Sequence, residues 1–109
     1  MLLDENLPRK LRRDLPEFMV RTVQEDDWTS YANGQLLGRA QDSFDVLLTA
    51  DRRLQFQQNL ARYSIGVVVI LTVSLRYRTI RLSIEQIRAA LAAVAPGELL
   101  QVQVPTEQL

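Results

Sequence analysis

The sequence predicts a three-layer α/β domain built on a parallel sheet of about five strands. Three observations predict it. Short apolar runs alternate with segments of helical spacing along nearly the whole chain. One run, Ile65 to Thr72, is apolar at every position except Gly66 and Thr72, as a strand covered on both faces must be. No repeat, linker or low-complexity segment interrupts the alternation. A chain of 109 residues buries about 65% of the surface it exposes when unfolded, enough for one core and not two. A single domain over 1–104 is therefore expected, with 105–109 as a C-terminal tail.

Each element has its own signal. Met1 to Asp4 is a short apolar run ending in acid, read as the first strand. Asn6 is placed to N-cap a helix with Leu7, Leu11 and Leu15 on one face, and Pro16 closes it. Phe18 to Val23 reads as the second strand, followed by a polar loop, Gln24 to Ala32, that carries Trp28 and Tyr31. Asn33-Gly34 opens a short helix through Leu36, Leu37 and Ala40. Asp45 to Thr49 is the third strand and stops at Asp51, after which Phe56, Leu60 and Tyr63 follow at helical spacing. Ile65 to Thr72 is the fourth strand and belongs in mid-sheet. Ser83 and Gln86 form a capping box for a helix with the stripe Ile84, Ile87, Leu91 and Val94, which Pro96-Gly97 ends. Leu100 to Val104 alternates like an edge strand.

Composition narrows the chemistry. At 47% hydrophobic and 24% charged, the chain is neither fibrous nor disordered. Histidine and cysteine are absent, which excludes imidazole bases, thiolate ligands and disulfides. Thirteen basic and thirteen acidic side chains cancel, so any pull on a polyanion must come from local patches. The longest apolar stretch, Ile65 to Val73, is far short of the roughly 20 residues a membrane-spanning helix needs. Met1-Leu2-Leu3 runs straight into Asp4-Glu5 with no basic segment before it. No secretory signal is expected, and the cytoplasm is the expected location.

In parallel sheets ligands bind outside the carboxyl ends of the strands, near the point where strand order reverses. Asp4 and Glu5 end the first strand and Asp51 ends the third, so three acids can converge there. Clustered carboxylates hold Mg²⁺ or Mn²⁺, which polarise a phosphodiester and activate water without histidine. Asp51 also stands where a helix beginning at Arg52 wants an N-cap. Asp4 has a weaker structural alternative, because an acid inside an apolar run is costly unless solvated, paired or metal-bound. Arg52 and Arg53 fit a scissile phosphate or an ion pair with the acids. Two basic clusters, Arg9, Lys10, Arg12 and Arg13, then Arg76, Arg78 and Arg81, are either RNA phosphate contacts or solvated surface. Trp28 and Tyr31 either stack a base or pack over the core or in a dimer contact. A phosphoacceptor receiver shares the acid pattern, but its lysine after the fifth strand is missing. The only lysine is Lys10, in the first helix, which leaves the receiver a minor alternative.

The opening Leu2-Leu3-Asp4-Glu5-Asn6-Leu7-Pro8 resembles that of the small PIN-like domains predicted to be nucleases and toxins of toxin–antitoxin systems. The resemblance continues through Val20 to Gln24, Trp28, Asn33-Gly34-Gln35-Leu36-Leu37, Phe44-Asp45, Leu48-Thr49-Ala50-Asp51-Arg52, Gln57-Gln58-Asn59-Leu60 and Pro96-Gly97-Glu98. It implies a Rossmann-like, PIN-like fold with strand order 3-2-1-4-5 and a metal-dependent endoribonuclease using Mg²⁺ or Mn²⁺. Asp4 and Asp51 carry over as catalytic and metal positions, with Glu5 as companion. RNA, an antitoxin protein and a second copy of the chain are the partners it suggests. Where the resembling sequences usually have glutamate, this chain has Gln35, which removes a negative charge. If the side chain reaches the acids, Gln35→Glu is expected to strengthen the site. The alternative reading is a catalytically weak or inactive PIN-like module that binds protein or RNA.

Overall fold

Alternation along the strands divides the apolar side chains between two faces of one sheet. The computed structural model describes residues 1–54 and 59–105. Its strands are β1 Leu2–Leu3, β2 Arg21–Thr22, β3 Val46–Thr49, β4 Gly66–Leu71 and β5 Leu99–Gln103, all parallel. Leu3, Leu48, Val68, Ile70 and Val102 face one way. There they meet Leu11 of a 3₁₀ segment, Arg9–Asp14, Leu15 just after it, and the helices α2, Tyr77–Arg81, and α3, Ile84–Ala93. Leu2, Leu47, Val67 and Val69 face the other way, against Leu36, Leu37 and Ala40 of α1, Asn33–Ala40. Three layers result, as the sequence predicts, with β4 inside the sheet and β5 at its edge.

The strand order is β2-β1-β3-β4-β5, not the 3-2-1-4-5 order that the resemblance implies. Leu2 and Leu3 pair on one side with Arg21 and Thr22 and on the other with Leu47 and Leu48, so β1 lies between β2 and β3. With only two residues in β1 and two in β2, side-chain packing decides the neighbours more than ladder hydrogen bonds do.

Several local expectations change. The first helix is a 3₁₀ segment, and its N-cap residue is Pro8, not Asn6. Pro8 stands before the segment and Pro16 shortly after its end. Leu11 N–H donates to Pro8 C=O at 3.2 Å, the i to i+3 bond of the tighter helix. Ser83 is the N-cap of α3, but its side chain makes no capping hydrogen bond, so the box with Gln86 does not form. α2 occupies the arginine-rich stretch that patterning leaves as a loop, because five residues bury only Thr79 and Ile80. The second strand shrinks to Arg21–Thr22. Leu60–Arg62 is a 3₁₀ turn, while Phe56, Gln57, Gln58 and the tail beyond Pro105 lie outside the described residues.

β4 enters the sheet directly beneath the end of α3. A Cβ on Gly66 would lie 2.9 Å from Val94 Cγ1 and 3.0 Å from the Ala95 carbonyl, so only glycine fits without movement. Gly97 reverses the chain in the left-handed region, φ 79°, and donates its N–H to Ile65 C=O at 3.0 Å. Gly66→Ala is therefore expected to destabilise the fold by about 1–3 kcal/mol through overpacking. Urea unfolding checks this as a lower midpoint at unchanged slope.

Candidate functional site

Because β1 and β3 are neighbours, the residues that leave their carboxyl ends are neighbours too. Strand order also turns at this pair, since the chain passes from β1 to β2 on one side and then to β3, β4 and β5 on the other. A crevice opens where connections diverge in this way. The cavity there has a volume of about 460 Å³. Its polar wall is Asp4, Glu5, Asn6, Asn33, Asp51 and Arg53, and Trp28 and Tyr31 form its aromatic wall.

Asp4 extends β1 by one residue, its N–H donating to Leu48 C=O at 3.0 Å. The residue as a whole is only 8% exposed. Oδ2 accepts the Thr49 hydroxyl at 2.6 Å, and Oδ1 accepts the Glu5 N–H at 2.8 Å. Thr49 Oγ1 in turn accepts the Asp51 N–H at 3.0 Å. One buried hydroxyl thus links the two acids. Asn6 adds a second tie across the same strand ends by accepting the Ala50 N–H at 3.4 Å, which is why its side chain is not a helix cap.

Asp51 is held differently. Asn33 Nδ2 donates to its Oδ2 at 3.2 Å, and Arg53 approaches both oxygens, with Nε 3.1 Å from Oδ1 and Nη2 3.1 Å from Oδ2. Oδ1 also accepts the Arg53 backbone N–H at 3.0 Å, the turn-capping bond that the sequence position suggests. The Arg53 hydrogen bonds, with the Asn33 bond, hold the Asp51 carboxyl below the usual aspartate range against the opposing effect of burial. Asp4 has no such cation. Among the described residues its partners are the neutral Thr49 hydroxyl and Glu5 amide.

The structure gathers Asp4, Glu5, Asn6, Asp51 and Arg53 at one cavity. Arg52 is exposed and lies outside the wall. Gln35 is exposed as well, and its Oε1 accepts the Ala32 N–H at 3.1 Å, closing the N-terminus of its own helix. Its side chain is turned away from the acids. Gln35 thus acts as a helix-capping residue in this fold. Trp28 stacks on Tyr31 at 6.1 Å between centroids and meets Phe44 edge-on at 6.2 Å, so the aromatic wall is packed over the core. Sequence reasoning missed Thr49 and Asn33. A lone hydroxyl closing a fully buried apolar strand was the available signal for Thr49.

Among the described residues, no group of three or more Asp or Glu side chains is placed to hold a metal ion. Glu5 is exposed at the mouth of the cavity. The donor set is thus two carboxylates with the Asn6 and Asn33 amides nearby. That set suits Mg²⁺, which takes one or two protein carboxylates and fills its remaining positions with water and substrate phosphate. No helix among the described residues is long and apolar enough to cross a membrane. Comparison with protein-family models, curated proteins and solved structures gives no match in any of the three.

The Asp51 arrangement sets an acid-side signature. A carboxyl whose folded value is depressed contributes stability above its unfolded value, about 3.9, and loses it as pH falls through the lower folded value. Asp51→Asn keeps the oxygen that caps Arg53 N–H and loses the charge. The variant is expected to be less stable near pH 7 by about 0.5–1 kcal/mol, the scale of a solvent-screened pair, since the Arg53 side chain is 74% exposed. Denaturation between pH 7 and pH 2 checks this, the gap to the native protein closing below about pH 4.

Proposed function

We propose that the chain is a Mg²⁺- or Mn²⁺-dependent endoribonuclease acting at this cavity. The observation that carries the reading is the buried Asp4, whose carboxylate only neutral groups partner among the described residues and which Thr49 couples to Asp51. A carboxylate in that position is stabilised by a bound cation. Asp4 and Asp51 would hold the ion, with Glu5 at the mouth. When bound, the ion polarises the phosphodiester and lowers the pKa of its water. Thr49 keeps Asp4 oriented, and Asn33 keeps Asp51 oriented. Arg53 neutralises Asp51 in the absence of the ion. Its exposed guanidinium is free to turn to the scissile phosphate, with Arg52 beside it.

The PIN-like resemblance supports RNA as the substrate and the role of toxin in a toxin–antitoxin pair, with an antitoxin protein as partner and the cytoplasm as the place of action. A second reading, an inactive module that binds RNA or protein, is favoured by the Arg53–Asp51 pair and the exposure of Glu5. The receiver alternative finds its strand order in this sheet. Its lysine does not follow, because Lys10 lies over the Tyr77 ring at 5.9 Å and the cation at the acids is Arg53.

Calorimetric titration with Mn²⁺ tests the reading together with cleavage of a mixed single-stranded RNA pool. Binding and cleavage are expected in the native protein. Asp4→Asn and Asp51→Asn should each lower Mn²⁺ affinity at least tenfold and cut cleavage by two orders of magnitude or more. Unchanged Mn²⁺ affinity in both variants overturns the shared site. Metal binding without cleavage moves the assignment to the binding module.

A further inference from the structure

The two basic clusters, 63 residues apart from Arg13 to Arg76 in sequence, form one surface in the fold. α2 packs against the 3₁₀ segment Arg9–Asp14, with Ile80 and Leu11 buried in the same core. Tyr77 stands at the junction. Lys10 Nζ lies 5.9 Å from the centre of its ring and Arg81 Cζ 6.0 Å, one cation from each cluster. The Tyr77 hydroxyl donates to Asp14, which also pairs with Arg81 at 3.4 Å, so one acid and one phenol fix the two segments together.

Seven of the thirteen basic side chains of the protein belong to these two segments and to Arg76, the N-cap of α2, and all seven are exposed. Among the described residues, only Asp14 and Glu25 form ion pairs with them, through Arg81 and Arg12. Among the described residues, Arg9, Lys10, Arg13, Arg76 and Arg78 make no ion pair. In a protein with no net charge, five of the eight cations without an ion pair among the described residues thus share one surface, the others being Arg39, Arg52 and Arg62. Both segments follow strands, β1 and β4, at the carboxyl edge of the sheet where the cavity opens. Arg9 is three residues from Asn6 in the cavity wall, a span of at most about 11 Å of chain.

We propose that this joint surface of the 3₁₀ segment and α2 binds the phosphate backbone of single-stranded RNA and leads it to the acid-lined cavity. The proposal rests on the endoribonuclease reading for the destination of the strand, and on the cationic surface alone for its binding. Spaced guanidinium groups give bidentate phosphate contacts, which are general to the backbone of any sequence. The acids at the cavity repel phosphate, so the cationic face supplies the binding that the cavity without a cation cannot.

Fluorescence anisotropy with a labelled 12-nucleotide RNA of mixed sequence, in EDTA and across a salt series, tests the proposal without requiring cleavage. Arg13→Gln and Arg78→Gln, one from each cluster, should each weaken binding about threefold to tenfold. The double variant should reduce the slope of log affinity against log salt by about 1.4, the value for two lost phosphate contacts on a single strand. Arg39→Gln and Arg62→Gln, at the opposite edge of the sheet, should change neither. Circular dichroism confirms that each variant is folded. Equal loss from both pairs, no loss from the first pair, or preferential capture of polyglutamate over RNA overturns the surface. RNA binding that responds as expected without any cleavage in Mn²⁺ upholds the surface while removing the nuclease reading.

Discussion

The Asp4 carboxylate closes a strand of two fully buried leucines and is itself nearly buried, and the rest of the site is organised by how that charge is accommodated. Its oxygens take a backbone amide and the Thr49 hydroxyl. The same hydroxyl accepts from Asp51, so a single side chain couples β1 to β3 at the point where the strand order turns. If β1 were not beside β3, this contact could not exist. Strand adjacency, a packing outcome, is therefore what converts two acids distant in sequence into one site.

Two electrostatic solutions stand side by side at the cavity. Asp51 is paired with an exposed cation from two residues downstream, whereas among the described residues Asp4 is partnered by dipoles alone. The bidentate guanidinium of Arg53 favours the ionised form of Asp51. Neutral hydrogen bonds to Asp4 leave its charge available. Across the rim the excess of unpaired arginine on the 3₁₀ segment and α2 has the opposite sign, and the separation of charge within a chain of zero net charge gives the carboxyl edge a direction.

The parts of this picture that were legible in the sequence are those set by local chemistry. Ile65 to Leu71 reads as a covered strand because nothing polar interrupts it, and Asp4 and Asp51 stand out as acids that end apolar runs. Side chains with two available tasks were not legible. Asn6 has the chemistry of a cap but reaches across to Ala50, and Gln35 has the chemistry of a ligand but closes its own helix. In each case the partner is chosen by tertiary placement. The strand order was illegible for the same reason, since two-residue strands carry too little pattern to name a neighbour. α2 was hidden because five residues with three flanking or internal arginines show only two buried positions. Thr49 was hidden by its modesty, one hydroxyl in a strand otherwise read for its leucines.

Thermal unfolding of Thr49→Val and Thr49→Ser, with and without saturating Mn²⁺, tests the coupling most directly. Valine matches threonine in shape and leaves Asp4 Oδ2 and the Asp51 N–H without their shared partner, which costs about 1–3 kcal/mol. The account predicts a lower melting temperature for Thr49→Val without metal and a much smaller rise on adding Mn²⁺, while Thr49→Ser keeps most of both because it keeps the hydroxyl. A Thr49→Val protein that melts and responds to Mn²⁺ like the native one would contradict the account, since Asp4 and Asp51 would then be two separate carboxylates and not one site.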